Sequence, residues 1–554
     1  MTLLPAAIPY RVRFGVTGHR SLPDEPALLR CVLQVLNSRY TEAFDPKTRE
    51  ALLSATATPV VFSVVSPLAE GADRLVARAI MEQGGLLEAV LPMSRERYQE
   101  DFASSESRAE FGDLLARAHR LKVLEGSISA TAPDFRAKAY RAVGEEVLER
   151  CDILIALWDG LPTRGIGGTA AIVSLALARQ KPVFIISTSA PGRVELLNGG
   201  TLRAEFIDKI EAFNRFNAGN SDRDAQLGDT YREIFPSPGA DQIPPEFKAL
   251  VRDRLIPPYC HASQRAKLFQ DWFNITGTQG YAFSTLSILV MALAVVFTKN
   301  PYISLPCTVL ELVLLVILFE MVHRAEHERV HPGWLEHRAL AERLRIAFYF
   351  VACGERPDTS AGGRSPLRAD RTWMDRVYHE IIYSLPELSR PEEPRLRYYR
   401  DFITSEWVQG QVDYHRAKSE KEYGKNEQLK KLGKWSFILA IAVSLTHLWF
   451  LLKGAHGHHV EGLALMLEEA LPIFAITLPA AGAAFNGYRS LMELSRIASR
   501  SKAMGKRLSQ IAAESVAPDP AALRRYLERI EDTMLFESED WLALMEHVEL
   551  EKIA

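Results

Sequence analysis

Ala282 to Phe297, AFSTLSILVMALAVVF, followed after the turn Thr298 to Tyr302 by Ile303 to Val322, ISLPCTVLELVLLVILFEMV, decides what kind of protein this chain forms. Crossing a hydrocarbon core of about 30 Å takes about 20 mainly apolar residues, with about 17 as a lower limit. Gly280 and Tyr281 bring the first segment up to that limit, so the pair reads as a membrane hairpin. A second pair, Trp435 to Leu452 and Leu463 to Phe485, is joined by the polar turn Lys453 to His459. Here His447, Glu468 and Glu469 interrupt the apolar run. A central charge costs roughly 2.5–3.5 kcal/mol while a leucine returns only about 0.5, so this hairpin needs neighbours to insert.

Basic residues orient the hairpins. Arg265 and Lys267 precede the first span, and Arg324 and Arg329 follow the second. Lys430, Lys431 and Lys434 precede the third, and Arg489, Arg496, Arg500 and Lys502 follow the fourth. The tips hold only Lys299 and Lys453. By the positive-inside rule the N-terminus, the C-terminus and the segment between the hairpins are cytoplasmic. Met1 to Pro9 lacks a basic start followed by a long apolar core, so no signal peptide is expected.

Working outward toward the N-terminus, the first 195 or so residues change period. Short β-branched runs at Val12 to Val16, Val60 to Val65, Leu87 to Leu91, Asp152 to Leu157 and Val183 to Ile186 predict strands, with Lys122 to Leu124 as a short edge strand. Helical patterns fall between them at Asp24 to Leu36, Ala72 to Gln83, Phe135 to Glu149 and Thr169 to Arg179. That alternation predicts an α/β, Rossmann-like, mainly parallel sheet. Ligands in such sheets bind at the strand-to-helix turns. Three of these turns carry glycine with polar or basic neighbours: Thr17-Gly18-His19-Arg20, then Ser66 to Arg74 with Glu70, Gly71 and Asp73, then Trp158-Asp159-Gly160 with Gly165 to Thr169. Glycine lets backbone N–H groups approach a phosphate, and the helix start that follows adds positive potential. Arg20, Arg74 and Arg164 are placed to add charge-assisted bonds. Each turn alone is an ordinary connector; three at one sheet edge point to a nucleotide-derived ligand.

The order V-T-G-H-R, S-P-L-A-E-G-A-D-R, W-D-G and G-I-G-G-T resembles the SLOG superfamily, which includes cytokinin-activating phosphoribohydrolases and sensor domains of bacterial conflict systems. The resemblance spans roughly residues 10 to 190. It implies that Gly18, Glu70, Gly71, Asp73, Gly167, Gly168 and Thr169 line a nucleotide pocket. The phosphoribohydrolases carry a glutamate three residues beyond the threonine; here that position is Ile172. A non-hydrolysing sensor is therefore expected, with no catalytic residue assigned and no cofactor. The alternative is a membrane-tethered nucleotide hydrolase using Glu70 or Asp73, and a third class is a scaffold that binds no ligand.

Beyond the first hairpin, W-x-x-x-R-x-x-A-E-x-L-R from Trp334 to Arg345 is similar to the SLATT family of membrane effectors. Trp334, Arg338, Ala341 and Arg345 share one helical face by spacing. His323, His327 and His331 recur every four residues, but Pro332 disturbs the last turn and no H-E-x-x-H pattern is present, so no metal site is expected. Glu311 lies within the second span, and an intramembrane carboxylate is a functional candidate by default. A ring of Glu311 in an oligomer would line a cation-preferring pore; bonding to Ser284, Thr285 or Ser287 is the plainer role.

The resulting layout is a nucleotide-sensing domain (1–195), a helical and loop connector (196–275), a first hairpin (276–325), a cytoplasmic helical segment (326–430), a second hairpin (431–490) and C-terminal helices (491–554). Within the connector, residues 217–239 read as loop, and Trp272 and Phe273 as an aromatic belt. Leu491, Leu494, Ile497, Met504 and Leu508 form an apolar stripe suited to the central helices or a second subunit. A formal net charge of −3 argues against nucleic acid as a partner. Five scattered cysteines give neither a disulfide framework nor a zinc pattern. The resemblances imply an effector of the bacterial inner membrane in antiphage defence, a homo-oligomer acting on the lipid bilayer when a nucleotide-derived signal binds.

Overall fold

The computed structural model describes residues 7–54, 57–124, 135–162, 168–202, 205–218, 223–357, 373–386, 388, 395–455, 463–514 and 519–546. Two units emerge: Met1–Asn220 together with Gly362–Ser384, and Ser221–Ala361 together with Leu385–Ala554.

The first unit is built on strands β1 (Tyr10–Gly18), β2 (Val60–Ser66), β3 (Leu86–Leu91), β4 (Arg120–Val123), β5 (Ile153–Trp158), β6 (Val183–Ser187) and β7 (Val194–Leu197). Their spatial order is β4-β3-β2-β1-β5-β6-β7, parallel throughout except for the β6–β7 pair. Strands covered on both faces read as continuous apolar runs, and Ile153 to Leu157 of β5 is buried along its whole length. The helices are α1 (Glu25–Asn37), α2 (Pro46–Ser54), α3 (Ala72–Glu82), α4 (Arg95–Gln99), α5 (Ser105–Ala116), α6 (Phe135–Arg150), α7 (Thr169–Ala178) and α8 (Glu205–Ala218). Asp24 caps α1 by accepting from the Ala27 amide at 3.0 Å, with Pro26 in the first turn where its missing N–H costs nothing. α1 and α3 pack together on the sheet, as do α6 and α7. Val143 and Val147 of α6 meet Val65 and Val90, and Ile172 and Val173 of α7 meet Leu154 and Ala156.

The chain then forms α9 (Arg223–Ile234), α10 (Pro245–Leu250), α11 (Ile256–Val296), α12 (Pro301–His327) and α13 (Val330–Ala352). It returns to the sheet unit as α14 (Trp373–Tyr383) before α15 (Leu396–Phe402), α16 (Gln409–Ala455), α17 (Leu463–Leu491), α18 (Leu494–Ala512) and α19 (Pro520–Glu546). Four stretches of this second unit, Pro245–Val296, Pro301–Ala352, Leu396–Lys453 and Glu469–Ala512, are helical, long and apolar enough to cross a membrane. Leu312, Phe319, Ile441, Leu445 and Phe474 lie exposed along them. So large an apolar surface marks a membrane protein.

The second hairpin finds the neighbours it needs. α17 packs on both α16 and α11. Glycines set the close approach: a Cβ on Gly482 would lie 3.0 Å from the Phe437 ring, one on Gly433 3.0 Å from the Asn486 amide, and one on Gly487 2.6 Å from the Tyr281 ring. The tip, residues 456–462, lies outside the described residues.

Several expectations change. The sheet unit runs past residue 195 to Asn220 and takes in Gly362–Ser384 from the segment assigned to the cytoplasmic helices. Residues 223–234, read as loop, form α9, because Thr230, Ile234 and Phe235 are buried and that packing outweighs a polar composition. Phe273 is buried against His331 and Trp334, and only Trp272 remains exposed. The four-residue histidine spacing does not lie on one helix: α12 ends at His327, and the left-handed Arg329, φ 50°, puts His331 at the start of α13. Among the described residues no three His, Cys, Asp or Glu side chains are grouped to hold a metal. The apolar stripe of α18 is buried through Leu494, Met504 and Leu508, and α18 packs against α16 of the same chain.

Candidate functional site

The sheet order reverses between β1 and β5, whose following helices cross in opposite directions. Open α/β sheets bind ligands in the crevice outside the strand carboxyl ends at such a point. Two turns meet there. Thr17 and Gly18 pair with Ala156 and Leu157, and the His19 amide donates to the Leu157 carbonyl at 3.2 Å. The Asp159 amide donates to His19 Nε2 at 3.2 Å, and Asp159 Oδ1 lies 3.2 Å from the same nitrogen. A neutral His19 thus accepts from the backbone through Nε2, and a protonated one donates to the carboxylate instead. Both side chains are partly exposed. Asp159 also accepts from Leu161 N at 3.0 Å, which shapes the Asp159-Gly160 turn, with Gly160 at φ 84°. Gly168 is the extended N-cap of α7, and among the described residues no side chain caps that helix start. Its first amides and positive end are oriented for an anion. Arg164 and Gly167 lie outside the described residues.

The turn after β2 lies against the turn after β1. Ala72 N donates to the His19 carbonyl at 3.1 Å, and a Cβ on Gly71, at φ 76°, would come within 2.4 Å of the Arg20 carbonyl oxygen. Gly18 is equally confined: a Cβ there would lie 2.4 Å from the Ala72 Cβ. Both glycines serve turn-on-turn packing. The remaining residues of this cluster divide by task. Arg74 is buried and donates to the Leu68 carbonyl at 3.1 Å and to Ser107 and Glu110 at 2.9 Å, so it bolts α3 to α5. Glu70 accepts from Ala103 N at 2.9 Å and from the Ser107 hydroxyl. Burial pushes its carboxyl up, but those bonds and the cations Arg74 and Arg20 outweigh this and hold it below its usual range. Asp73 is buried with one hydrogen bond, from Ala69 N at 3.2 Å, and burial raises it to about 7 against the pull of Ala69, Arg20 and Arg74. Arg20 alone is exposed, its guanidinium 5.3 Å from the Tyr140 ring centre and 3.4 Å from the Asp101 carbonyl.

The structure therefore brings the turn after β1, with Thr17, Gly18 and Arg20, against the turn after β2, with Glu70, Gly71, Asp73 and Arg74, and places Gly168 and Thr169 at the start of the helix that follows β5. The pairing of His19 with Asp159 was not foreseen. Both residues stood in the quoted turns, but only the strand order makes them neighbours. Tyr140 and Asp101 carried no signal, since both lie outside any motif.

Ile172 sits in the core between α6 and β5 with Leu148, Cys151 and Leu154, and a Cβ on Gly144 would touch its Cδ1 at 2.3 Å. Ile172→Glu, which restores the phosphoribohydrolase pattern on paper, is expected to cost on the order of 3–5 kcal/mol by burying an unpaired carboxylate. Hydrogen exchange across α7 would report it; a folded variant that releases base from nucleotides would contradict this placement. No family model matches the chain, and no curated protein matches it.

Proposed function

We propose that the sheet unit binds a nucleotide-derived signal at the β1–β5 crevice and that the apolar helices respond by opening a pore or disrupting the bilayer, in an oligomer of the bacterial inner membrane with cytoplasmic termini. The observation that carries this reading is the presence, in one chain, of a switch-point crevice and four helices long enough to cross a membrane. The covalent path supports it. The chain passes between the two units three times, so α14, part of the sheet unit, is tethered to helices of the other unit on both sides. A ligand shifts such an assembly only if it binds one arrangement more tightly than another. The antiphage setting rests on the SLOG and SLATT resemblances.

Glu311 is the candidate pore-lining residue of this reading. Ser284 and Thr285 donate to carbonyls of their own helix, at 2.9 and 2.8 Å, so neither has a proton to give the Glu311 carboxylate. If an oligomeric pore forms, Glu311→Gln should lower its preference for cations.

Purified protein in dye-loaded liposomes, titrated with nucleoside monophosphates, cyclic dinucleotides and cyclic ADP-ribose isomers, is expected to leak with at least one of them. Gly168→Glu places a carboxylate at the α7 start and should abolish both binding, measured by calorimetry, and leakage, while leaving the protein in the membrane fraction. Unchanged binding would refute the pocket. Free base or nicotinamide in the same incubations would replace the sensor with the hydrolase alternative through Glu70 or Asp73.

A further inference from the structure

Below the third apolar run, α16 and α18 leave a groove between them of about 590 Å³, within the range that small-molecule sites occupy, roughly 300–1,000 Å³. Arg416, Glu420 and Tyr423 of α16 line it on one side, and Lys502, Gly505 and Lys506 of α18 on the other. We propose that this groove is a second ligand site, for a soluble phosphate-bearing small molecule of nucleotide size. The proposal rests on these two helices and is independent of the crevice in the sheet unit.

Charge is the first argument. Three cations face one carboxylate, and among the described residues none of Arg416, Lys502, Lys506 or Glu420 forms an ion pair or a side-chain hydrogen bond. Elsewhere on the same helices cations do find partners at helical spacing, as in Lys425 with Glu422 and Arg496 with Glu493. Three exposed cations against one carboxylate leave the lining net positive, and an anion gains charge-assisted bonds there. Shape is the second. Gly505 keeps the floor low, since a Cβ there would meet His415 Cβ at 3.6 Å and the Val412 carbonyl at 3.7 Å and occupy the space above. The helices are pinned together beside it by Ser419, whose hydroxyl donates to the Ala498 carbonyl at 2.9 Å. Ser499 and Ser509 spend their protons on carbonyls of their own helix, which leaves the three cations as the charged donors of the groove. Tyr423, exposed at the rim, offers a ring face to a base.

A lipid headgroup carries the same phosphate chemistry, but distance disfavours it. The third apolar run begins at Trp435, twelve residues beyond Tyr423 on the unbroken helix α16. At 1.5 Å per residue this is about 18 Å, whereas the headgroup layer extends only about 5–8 Å past the hydrocarbon core on each side. Occupying the groove would tie the extension of the third span to the helix that follows the fourth, and so restrain their separation.

The test uses full-length protein in nanodiscs at low salt, carrying Gly168→Glu so that the crevice in the sheet unit does not contribute. ADP, inorganic pyrophosphate and inorganic phosphate serve as probes in calorimetry, with hydrogen exchange read over residues 412–423 and 499–509. ADP is expected to bind saturably and to protect both segments. Replacing Arg416, Lys502 and Lys506 together with glutamine should weaken it at least tenfold, and Lys502→Arg should retain it. All three side chains are exposed, so the substitutions leave the core untouched. Gly505→Leu, which fills the floor, should weaken ADP with the cations intact. The proposal is overturned if no probe binds, if ADP binds the glutamine variant equally well, or if protection requires anionic lipid in the nanodisc and no added nucleotide.

Discussion

Asp152→Ala is expected to loosen β1, β5 and α14 from one another, at a cost on the order of 3–5 kcal/mol, the range for removing one partner of a buried ion pair. Asp152 is buried immediately before β5. It accepts from the Arg13 backbone N at 3.1 Å, from Arg13 Nε at 3.2 Å and Nη2 at 2.8 Å, and from Arg376 Nη2 of α14 at 3.0 Å. Burial opposes its ionisation, but Arg13 and Arg376 outweigh that and hold the carboxyl well below its usual range. Alanine would remove the carboxylate that both guanidinium groups share. Arg11 adds a second clasp, bonding Glu380 at 2.8 and 3.0 Å, and lies 4.8 Å from the Tyr383 ring; that clasp should outlast the first in the variant. The sign of the pH effect follows from the depressed value. The contribution of Asp152 is present above the unfolded-state pKa near 3.9 and is lost as pH falls through and below it. Hydrogen exchange over residues 10–18, 153–158 and 373–383 should show faster opening at neutral pH in Asp152→Ala, with Asp152→Asn intermediate. Equal protection in all three proteins would mean that this cluster does not hold α14.

The clasp also shows what the sequence could and could not disclose. β2 and β5 were legible because burial on both faces demands β-branched and apolar residues in unbroken runs, and the hairpin at Ala282 to Val322 because lipid makes the same demand over a longer stretch. α14 was not legible as part of the sheet unit. Its partners Arg11 and Asp152 are more than 200 residues away, and no local spacing encodes an ion pair closed by the fold. β7 escaped notice because four residues at an antiparallel edge carry too little pattern. The crevice was half legible. A glycine that admits a phosphate and a glycine that admits another turn look identical in sequence, and Gly18 and Gly71 prove to serve the second need. His19 and Asp159 required the β1–β5 adjacency, which strand count alone does not give.

Asp73 should make the sheet unit lose stability as pH rises from about 4 to about 7, the opposite slope and a separate window from Asp152. Its folded value is raised, to about 7, so the protonated carboxyl contributes fully below the unfolded-state value and the contribution disappears as pH climbs through the folded one. The cause is visible in its surroundings. One amide, Ala69 N, satisfies the carboxylate, and Arg74 is shared among Leu68, Ser107 and Glu110. Three pH units at about 1.4 kcal/mol each set an upper bound of about 4 kcal/mol. Asp73→Asn keeps an acceptor for Ala69 and cannot ionise, so at pH 8 it should stabilise α3 by on the order of 2–4 kcal/mol, and at pH 4 by little. Exchange protection of α3 in full-length protein at pH 5 and pH 8 measures this directly, and parallel profiles for the two proteins would sink it. The same charge bears on the crevice. Asp73 stands in the wall beside Arg20, and an ionised carboxylate there repels a phosphate and competes for the guanidinium. A nucleotide bound at the crevice should therefore weaken above pH 7 in the wild type, and Asp73→Asn should flatten that decline. A pH dependence unchanged by Asp73→Asn would place the ligand's phosphate away from the β1–β2 wall, toward the α7 start alone.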